Sequence, residues 1–279
     1  MEQGIVNNLK AQAREVRKYT IDTIANLGVG HIGGSLSVVE ILTLLYYQEM
    51  RVKAEDPLWR ERDKLVLSKG HAGPALYSVL ALKGFFPMEW LATLNRGGTR
   101  LPSHCDRNLT PGIDMTTGSL GQGLSAACGL AIANKLDGID NWTYVIIGDG
   151  ETNEGQNWEA AMLAPHQKLS RIIAFTDYNK LQLDGTTDQI LCLGDIEGKW
   201  RTFGWHVDRC DGHDFAAMSS AIARAKVQAL GEDGKPSMII LDTIKGKGAE
   251  FAEGKLTNHN MNIDRQTADR AIAALYEEK

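Results

Sequence analysis

One stretch, Gly148-Asp149-Gly150 through Asp177-Tyr178-Asn179, constrains the fold more than any other part of the 279-residue chain. A short apolar run, Tyr144-Val145-Ile146-Ile147, stops abruptly at Gly-Asp-Gly, as a buried parallel strand does when it delivers a turn. A helical stretch follows, with apolar or small residues at Trp158, Ala161, Met162 and Pro165, and then a second short strand over 171–176. The pattern is one β-α-β unit. Asn179 follows Asp149 by 30 positions, about the length of such a unit. The crossover therefore sets a carboxylate and an amide carbonyl side by side at the carboxyl ends of two parallel strands, where open α/β sheets bind ligands.

Two hard oxygen donors suit Mg²⁺, which keeps few protein ligands and takes the rest from water and phosphate oxygens. The glycines flanking Asp149 let the backbone approach an anion, and the helix beyond offers N–H groups and a positive dipole end. A metal-bridged diphosphate is the expected occupant. An isolated Gly-Asp-Gly would be read as a bare turn, but the strand before it, the helix after it and Asn179 at crossover distance favour the ligand.

Composition limits the alternatives. Net charge is −5, so no global field draws the chain to nucleic acid or to an anionic membrane. The amino-terminal stretch has no apolar signal region, and no run approaches the ~18 apolar residues of a membrane span. Cys105, Cys128, Cys192 and Cys210 lack C-x-x-C spacing and read as reduced thiols of a cytoplasmic protein.

Elsewhere, residues 5–27 carry a helical apolar period closed by Gly28. Gly30-His31-Ile32-Gly33-Gly34-Ser35-Leu36-Ser37 is a glycine loop, and Ser37-x-x-Glu40 reads as a capping box opening a helix over 38–47. Asp63–Leu67 is a strand ending in Ser68-Lys69-Gly70-His71-Ala72-Gly73-Pro74, with Pro74 in the first turn of a helix. A brief helix over 87–94 precedes a polar loop, 95–113, that holds His104. Thr117-Gly118-Ser119-Leu120-Gly121-Gln122-Gly123 opens a helix over 124–136, apolar around nearly its whole girth and so buried under the sheet or at a subunit contact. A strand over 203–207, a helix over 215–230, a strand over 238–241 and a final helix over 265–277 complete the chain. Lys245-Gly246-Lys247-Gly248 follows the last strand, as suits a phosphate neighbour, although a solvated loop gives the same pattern. With no repeats or linker, one domain over 1–279 is expected: an α/β fold with a mostly parallel sheet and helices on both faces.

The motifs GHIGGSLS, SKGHAGPALYS, TTGSLGQG, GDGETNEG, DYNKLQLDG and KGKG, in this order, resemble those of transketolase over most of the chain. The resemblance implies the pyrophosphate-type thiamine-diphosphate-binding fold, with thiamine diphosphate and Mg²⁺, or another divalent ion such as Ca²⁺ or Mn²⁺. It assigns the metal to Asp149, Asn179 and the Leu181 carbonyl. It assigns cofactor contacts to His71, Gly118, Ser119, Leu120, Gly150, Asn179, Lys245 and His259. His31 and His259 correspond to the pair that hydrogen-bonds the sugar and stabilises developing charge, and His104 to a further substrate histidine. Glu154 and Glu159 correspond to buried glutamates that meet their counterparts across a subunit interface. Cys105-Asp106 and Ser119 depart from the family's usual Pro-Glu and Pro. A full-length transketolase continues for two more domains, so the match is to the N-terminal subunit of a split enzyme.

That resemblance implies a C-terminal partner carrying the pyrimidine-binding domain, in an α2β2 heterotetramer, and transfer of a two-carbon ketol unit from a ketose phosphate to an aldose. A pentose phosphate is the default donor, with a specialised catabolic ketose phosphate or sulfonate as the other choice. Two alternatives share the Gly-Asp-Gly…Asn signature: the α-subunit of a 2-oxo-acid dehydrogenase and a non-catalytic thiamine-diphosphate-binding protein.

Overall fold

The computed structural model describes residues 1–183 and 185–277; Asp184, in the Leu-Gln-Leu-Asp-Gly run, lies outside them. Five strands make the sheet: β1 (Lys64–Leu67), β2 (Thr143–Gly148), β3 (Ile172–Tyr178), β4 (His206–Asp211) and β5 (Ser237–Asp242). They lie in the order β1-β2-β3-β5-β4, and every neighbouring pair is parallel. Among the described residues, antiparallel pairing is confined to two short ladders, Val29–Gly30 with Met261–Asn262 and Leu181–Gln182 with Gly185–Thr186.

The central strands are apolar on both sides, as parallel strands covered twice must be. Along β2, Tyr144 and Ile146 enter one core while Val145 and Ile147 enter the other. The longer helices are α1 (Gln3–Leu27), α2 (Gly73–Leu82), α3 (Gln122–Leu136), α4 (Gly155–His166), α5 (Phe215–Leu230) and α6 (Arg265–Glu277). The first core takes α1, α2, α5 and α6; the second takes α3, α4 and the indoles of Trp200 and Trp205. Gly28, left-handed at φ 88°, ends α1 by donating its N–H to the Ile24 carbonyl.

Two local expectations change, and a third holds for one face of its helix. Ser37 caps nothing: its hydroxyl donates to Asp177 Oδ2 at 2.7 Å, and the short helix Val39–Leu44 begins without a side-chain cap. A buried carboxylate is a stronger acceptor for that hydroxyl than a helix terminus can offer. The strand expected over 203–207 begins only at His206, because Trp205 turns into the core and donates to the Ala161 carbonyl. Helix α3 is buried on one face only in this chain, with Gly129, Ala133 and Leu136 exposed, and Met162 of α4 is 55% exposed.

The buried face of α3 seats its first turn on the carboxyl end of β1. A Cβ at Gly123 would overlap Ser68, standing 2.8 Å from its Cα, whereas one at Gly129 would meet nothing. Gly123→Ala is therefore expected to destabilise the chain by about 1–3 kcal/mol. Gly129→Ala, in the same helix, should be neutral or stabilising by up to about 1 kcal/mol. Thermal melts of the two variants check this, and equal melting temperatures would contradict the packing described.

Candidate cofactor site

Strands β2 and β3 finish in register, Gly148 opposite Asp177, and the Asp149 N–H donates to the Asp177 carbonyl at 3.2 Å. The Asp149 carboxylate accepts the Gly150 N–H at 2.7 Å and the Lys180 N–H at 2.6 Å, so the two strand tips are joined through it. Lys180 takes a left-handed φ of 65°, which tightens the turn between Asn179 and Leu181. The Asn179 amide donates to Asp177 Oδ2 at 3.0 Å, which fixes its orientation and turns Oδ1 toward the Leu181 N–H at 3.1 Å. Asp149, Asn179, Leu181, Lys245, His71 and His259 all line one cavity of about 190 Å³.

Burial raises the Asp149 carboxyl to about 7, and the nearby Asp177 charge adds to the rise. Among the described residues no cationic side chain pairs with it. A buried carboxylate, an amide oxygen and a backbone carbonyl form a hard donor set that fits a divalent ion completed by water and phosphate oxygens. The cradle also fits an anion. A Cβ at Gly34 would stand 3.2 Å from His71 Nε2 and 3.3 Å from Lys69 Nζ, and one at Gly150 would press on Gln182 at 2.7 Å. The donor set and the cradle thus fit a metal-bound diphosphate.

Four histidines gather beside this cradle. The His31 ring centroid lies 5.3 Å from His71, 5.6 Å from His104 and 5.3 Å from His259, and His71 lies 5.1 Å from His259. Burial, reinforced by neighbouring His104, Lys245 and Lys69, lowers His31 to about 4. Burial and Lys245 take His259 to about 4, and burial lowers His71 and His104 as well. At neutral pH the rings are uncharged, each with one N–H donor and one lone pair. Lys245, brought down to about 8 by burial and by Lys69, sits 3.3 Å from both the Leu181 carbonyl and His259 Nδ1.

Leu120 forms part of the cavity wall, while Ser119 faces a separate shallow groove and Gly118 lies under His104. Glu154 reaches the cavity rim but is exposed, as is Glu159. The buried glutamate of this segment is Glu151, whose carboxylate accepts the Ser68 hydroxyl and the N–H groups of Gly121 and Gly148. Glu151 thus ties together the tips of β1 and β2 and the start of α3. Pattern reading also missed the Lys69–Asp177 pair, 2.5 Å apart with side chains 2% and 0% exposed. A lysine beside His71, two residues past a buried strand, was the available signal.

Residues 8–275 match the family model described as transketolase, thiamine diphosphate binding domain. The chain is 57% identical over 271 residues to the 6-deoxy-6-sulfo-D-fructose transketolase subunit SqwG of a Clostridium species, covering 97% of each. It is 38% identical to an apulose-4-phosphate transketolase subunit of Actinobacillus succinogenes, over 98% of this chain and 97% of that one. Among solved structures it is similar to the transketolase of Campylobacter jejuni, with a TM-score of 0.90 and 30% identity. That likeness covers 99% of this chain but 43% of the other, so the chain spans about two fifths of the solved enzyme's length.

The Asp149 titration has a measurable consequence. Its folded value, about 7, lies above its ordinary 3.8, so without a bound cation this carboxylate costs stability increasingly as pH rises from 3.8 to 7. Below 7 a cation must displace a proton. Affinity for Mg²⁺ or Mn²⁺ should therefore fall by about tenfold per pH unit below 7, with proton release. Calorimetric titrations in buffers of different ionisation enthalpy read both effects; affinity independent of pH would refute the assignment.

Proposed function

The chain belongs to the transketolase family through its thiamine-diphosphate-binding domain, and on that premise we propose that it is the cofactor-binding subunit of a two-subunit transketolase. In this reading it folds as a single domain, acts in the cytoplasm and assembles as an α2β2 heterotetramer with a partner carrying the pyrimidine-binding domain. Relatives matched over nearly their whole length are named transketolase subunits, which supports the partner. The assembly moves a two-carbon ketol unit from an anionic ketose to an aldose. Higher identity to the relative named for a sulfofructose, 57% against 38%, favours a six-carbon ketose with a terminal sulfonate over a ketose phosphate.

Thiamine diphosphate, when bound, supplies a nucleophilic carbon and an electron sink for the two-carbon fragment. Asp149, Asn179 Oδ1 and the Leu181 carbonyl would hold the divalent ion. His71, Lys245 and the Gly150 backbone would receive the diphosphate, and of the Gly118–Leu120 segment it is Leu120 that lines the same cavity. His31, His104 and His259 meet the substrate oxygens. Being neutral, each ring both donates to an oxygen gaining charge and accepts a hydroxyl proton. A charged imidazolium could only donate. Glu154 and Glu159 would meet their counterparts across a subunit interface, a reading their exposure on this chain allows.

The observation that carries this reading is the convergence of four uncharged histidines on a cradle floored by Asp149 and Asn179. Asp149→Ala should abolish the thermal stabilisation given by Mg²⁺ with thiamine diphosphate; an unchanged thermal shift would sink the metal assignment. The chain alone should show negligible ketol transfer, restored by the co-expressed partner with a sulfofructose donor. Robust turnover by the lone chain would refute the split enzyme, and an inactive holo-complex with every ketose tried would favour a binding protein.

A further inference from the structure

Outside the cofactor cavity, three ionisable side chains from three elements meet in a cluster the site chemistry does not use. Arg17 of α1 donates through Nη2 to Glu40 Oε1 at 2.5 Å, and His213, in the turn between β4 and α5, approaches Glu40 Oε2 through Nδ1 at 3.0 Å. Their side chains are 9%, 9% and 13% exposed. Burial alone would raise the Glu40 carboxyl, but Arg17 and His213 outweigh it and hold it down to about 2.

Both outer members of the cluster reach the same loop. The Ile244 N–H donates to His213 Nε2 at 2.9 Å, so the ring proton sits on Nδ1 and is donated to Glu40. Arg17 Nε donates to the Lys247 carbonyl at 2.8 Å. Lys245 lies between these two anchors. The loop is also tied at its centre, where the Gly246 N–H donates to the Gly33 carbonyl and the Lys245 carbonyl accepts from the Gly254 N–H and the Asn258 amide. Gly246 and Gly248 take left-handed φ values of 84° and 80°, so its flanks are conformationally permissive and the two outer anchors add to that hold. Arg17 packs so closely on Gly248 that a Cβ there would stand 2.5 Å from its Cδ.

We propose that the Arg17–Glu40–His213 cluster is a positioning device of Lys245, gripping the backbone on both sides of that lysine and so helping to set where its ammonium meets the cofactor diphosphate. This rests on the reading of Lys245 as a cofactor contact. Glu40 is the hinge pin of the grip, since it aligns both donors without touching the loop. A buried ionic cluster contributes little net stability, but it admits few arrangements, which is what a permissive glycine loop requires.

The test is a double-mutant cycle on the complete complex with its partner subunit, reading thiamine diphosphate affinity in saturating Mg²⁺ by calorimetry. Lys245→Ala and His213→Phe should each weaken binding by about tenfold, the scale of one lost buried hydrogen bond to a charged or fixed group. In the Lys245→Ala background, His213→Phe should then cost nothing more. His213→Gln, which offers an acceptor to Ile244 and a donor to Glu40, should retain most of the affinity. Should His213→Phe not fold, Arg17→Lys keeps a charge beside Glu40 while losing the planar grip on Lys247, and carries the same expectation in both backgrounds. Losses that simply add overturn the positioning role while leaving the cofactor site intact. Wild-type affinity in Lys245→Ala removes the reading of Lys245 itself, and the proposal with it.

Discussion

The buried pair of Lys69 and Asp177 is the interaction on which the rest of the site depends. Lys69 follows β1, Asp177 lies near the end of β3, and between them β2 delivers Asp149. The Asp177 carboxylate also takes the Ser37 hydroxyl at 2.7 Å, the Thr243 hydroxyl at 2.5 Å and the Asn179 amide at 3.0 Å. Burial would raise its pKa, but the Lys69 ammonium and the two hydroxyls prevail and hold it low. Replacing such a pair with apolar residues is often neutral for stability, whereas removing one partner strands a charge at a cost of about 3–5 kcal/mol. Its contribution is specification. The glycine loop before Ser37 and the tips of β1, β3 and β5 satisfy this one carboxylate in a single arrangement, and Asn179 is oriented as a by-product.

Beside the Lys69–Asp177 pair, and apart from the hydrogen-bonded Glu151 and the exposed Glu154, the cavity lining holds two groups of opposite sign. Asp149, raised by burial, favours a cation; Lys245, lowered by burial, favours an anion. A metal-bound diphosphate would present both charges, and each group would regain a partner that burial withholds. The same burial keeps the four histidines uncharged. Four imidazolium ions with ring centres little more than 5 Å apart would repel one another strongly, and neutral rings serve sugar hydroxyls better. One physical cause, exclusion of water from the sheet edge, tunes both halves of the pocket.

Much of this was legible in the sequence, for a definable reason. Strands β1, β2 and β5 are continuous apolar runs ended by glycine or polar residues, and α5 and α6 have clear helical periods, so pattern located them. Asp149 and Asn179 were legible because a crossover of known length connects them. Ser37, Glu151 and Thr243 were not, because their partners lie far off in sequence: Ser37 meets Asp177, 140 residues on, and Glu151 meets Ser68, 83 residues back. A capping box is a local rule, and a remote carboxylate overrode it. The edge strand β4 was misplaced for a related reason. Its own residues are largely solvent-facing, so the aromatic run just before it, which belongs to the second core, carried the stronger apolar signal.

The size of the cavity adds a geometric constraint. Pockets that enclose a drug-sized ligand run to roughly 300–1,000 Å³, and this one offers about 190 Å³. Its floor carries Asp149, Asn179 and His71; its rim carries exposed apolar side chains, Leu120 at 37% and Leu183 at 53%. A ligand larger than the cavity and held at its charged end would extend toward that rim. Apolar side chains at such a mouth are covered either by the ring they support or by another polypeptide closing over it. The fold thus sets Asp149 and Lys245 at the buried end of the cavity and leaves apolar side chains at its mouth.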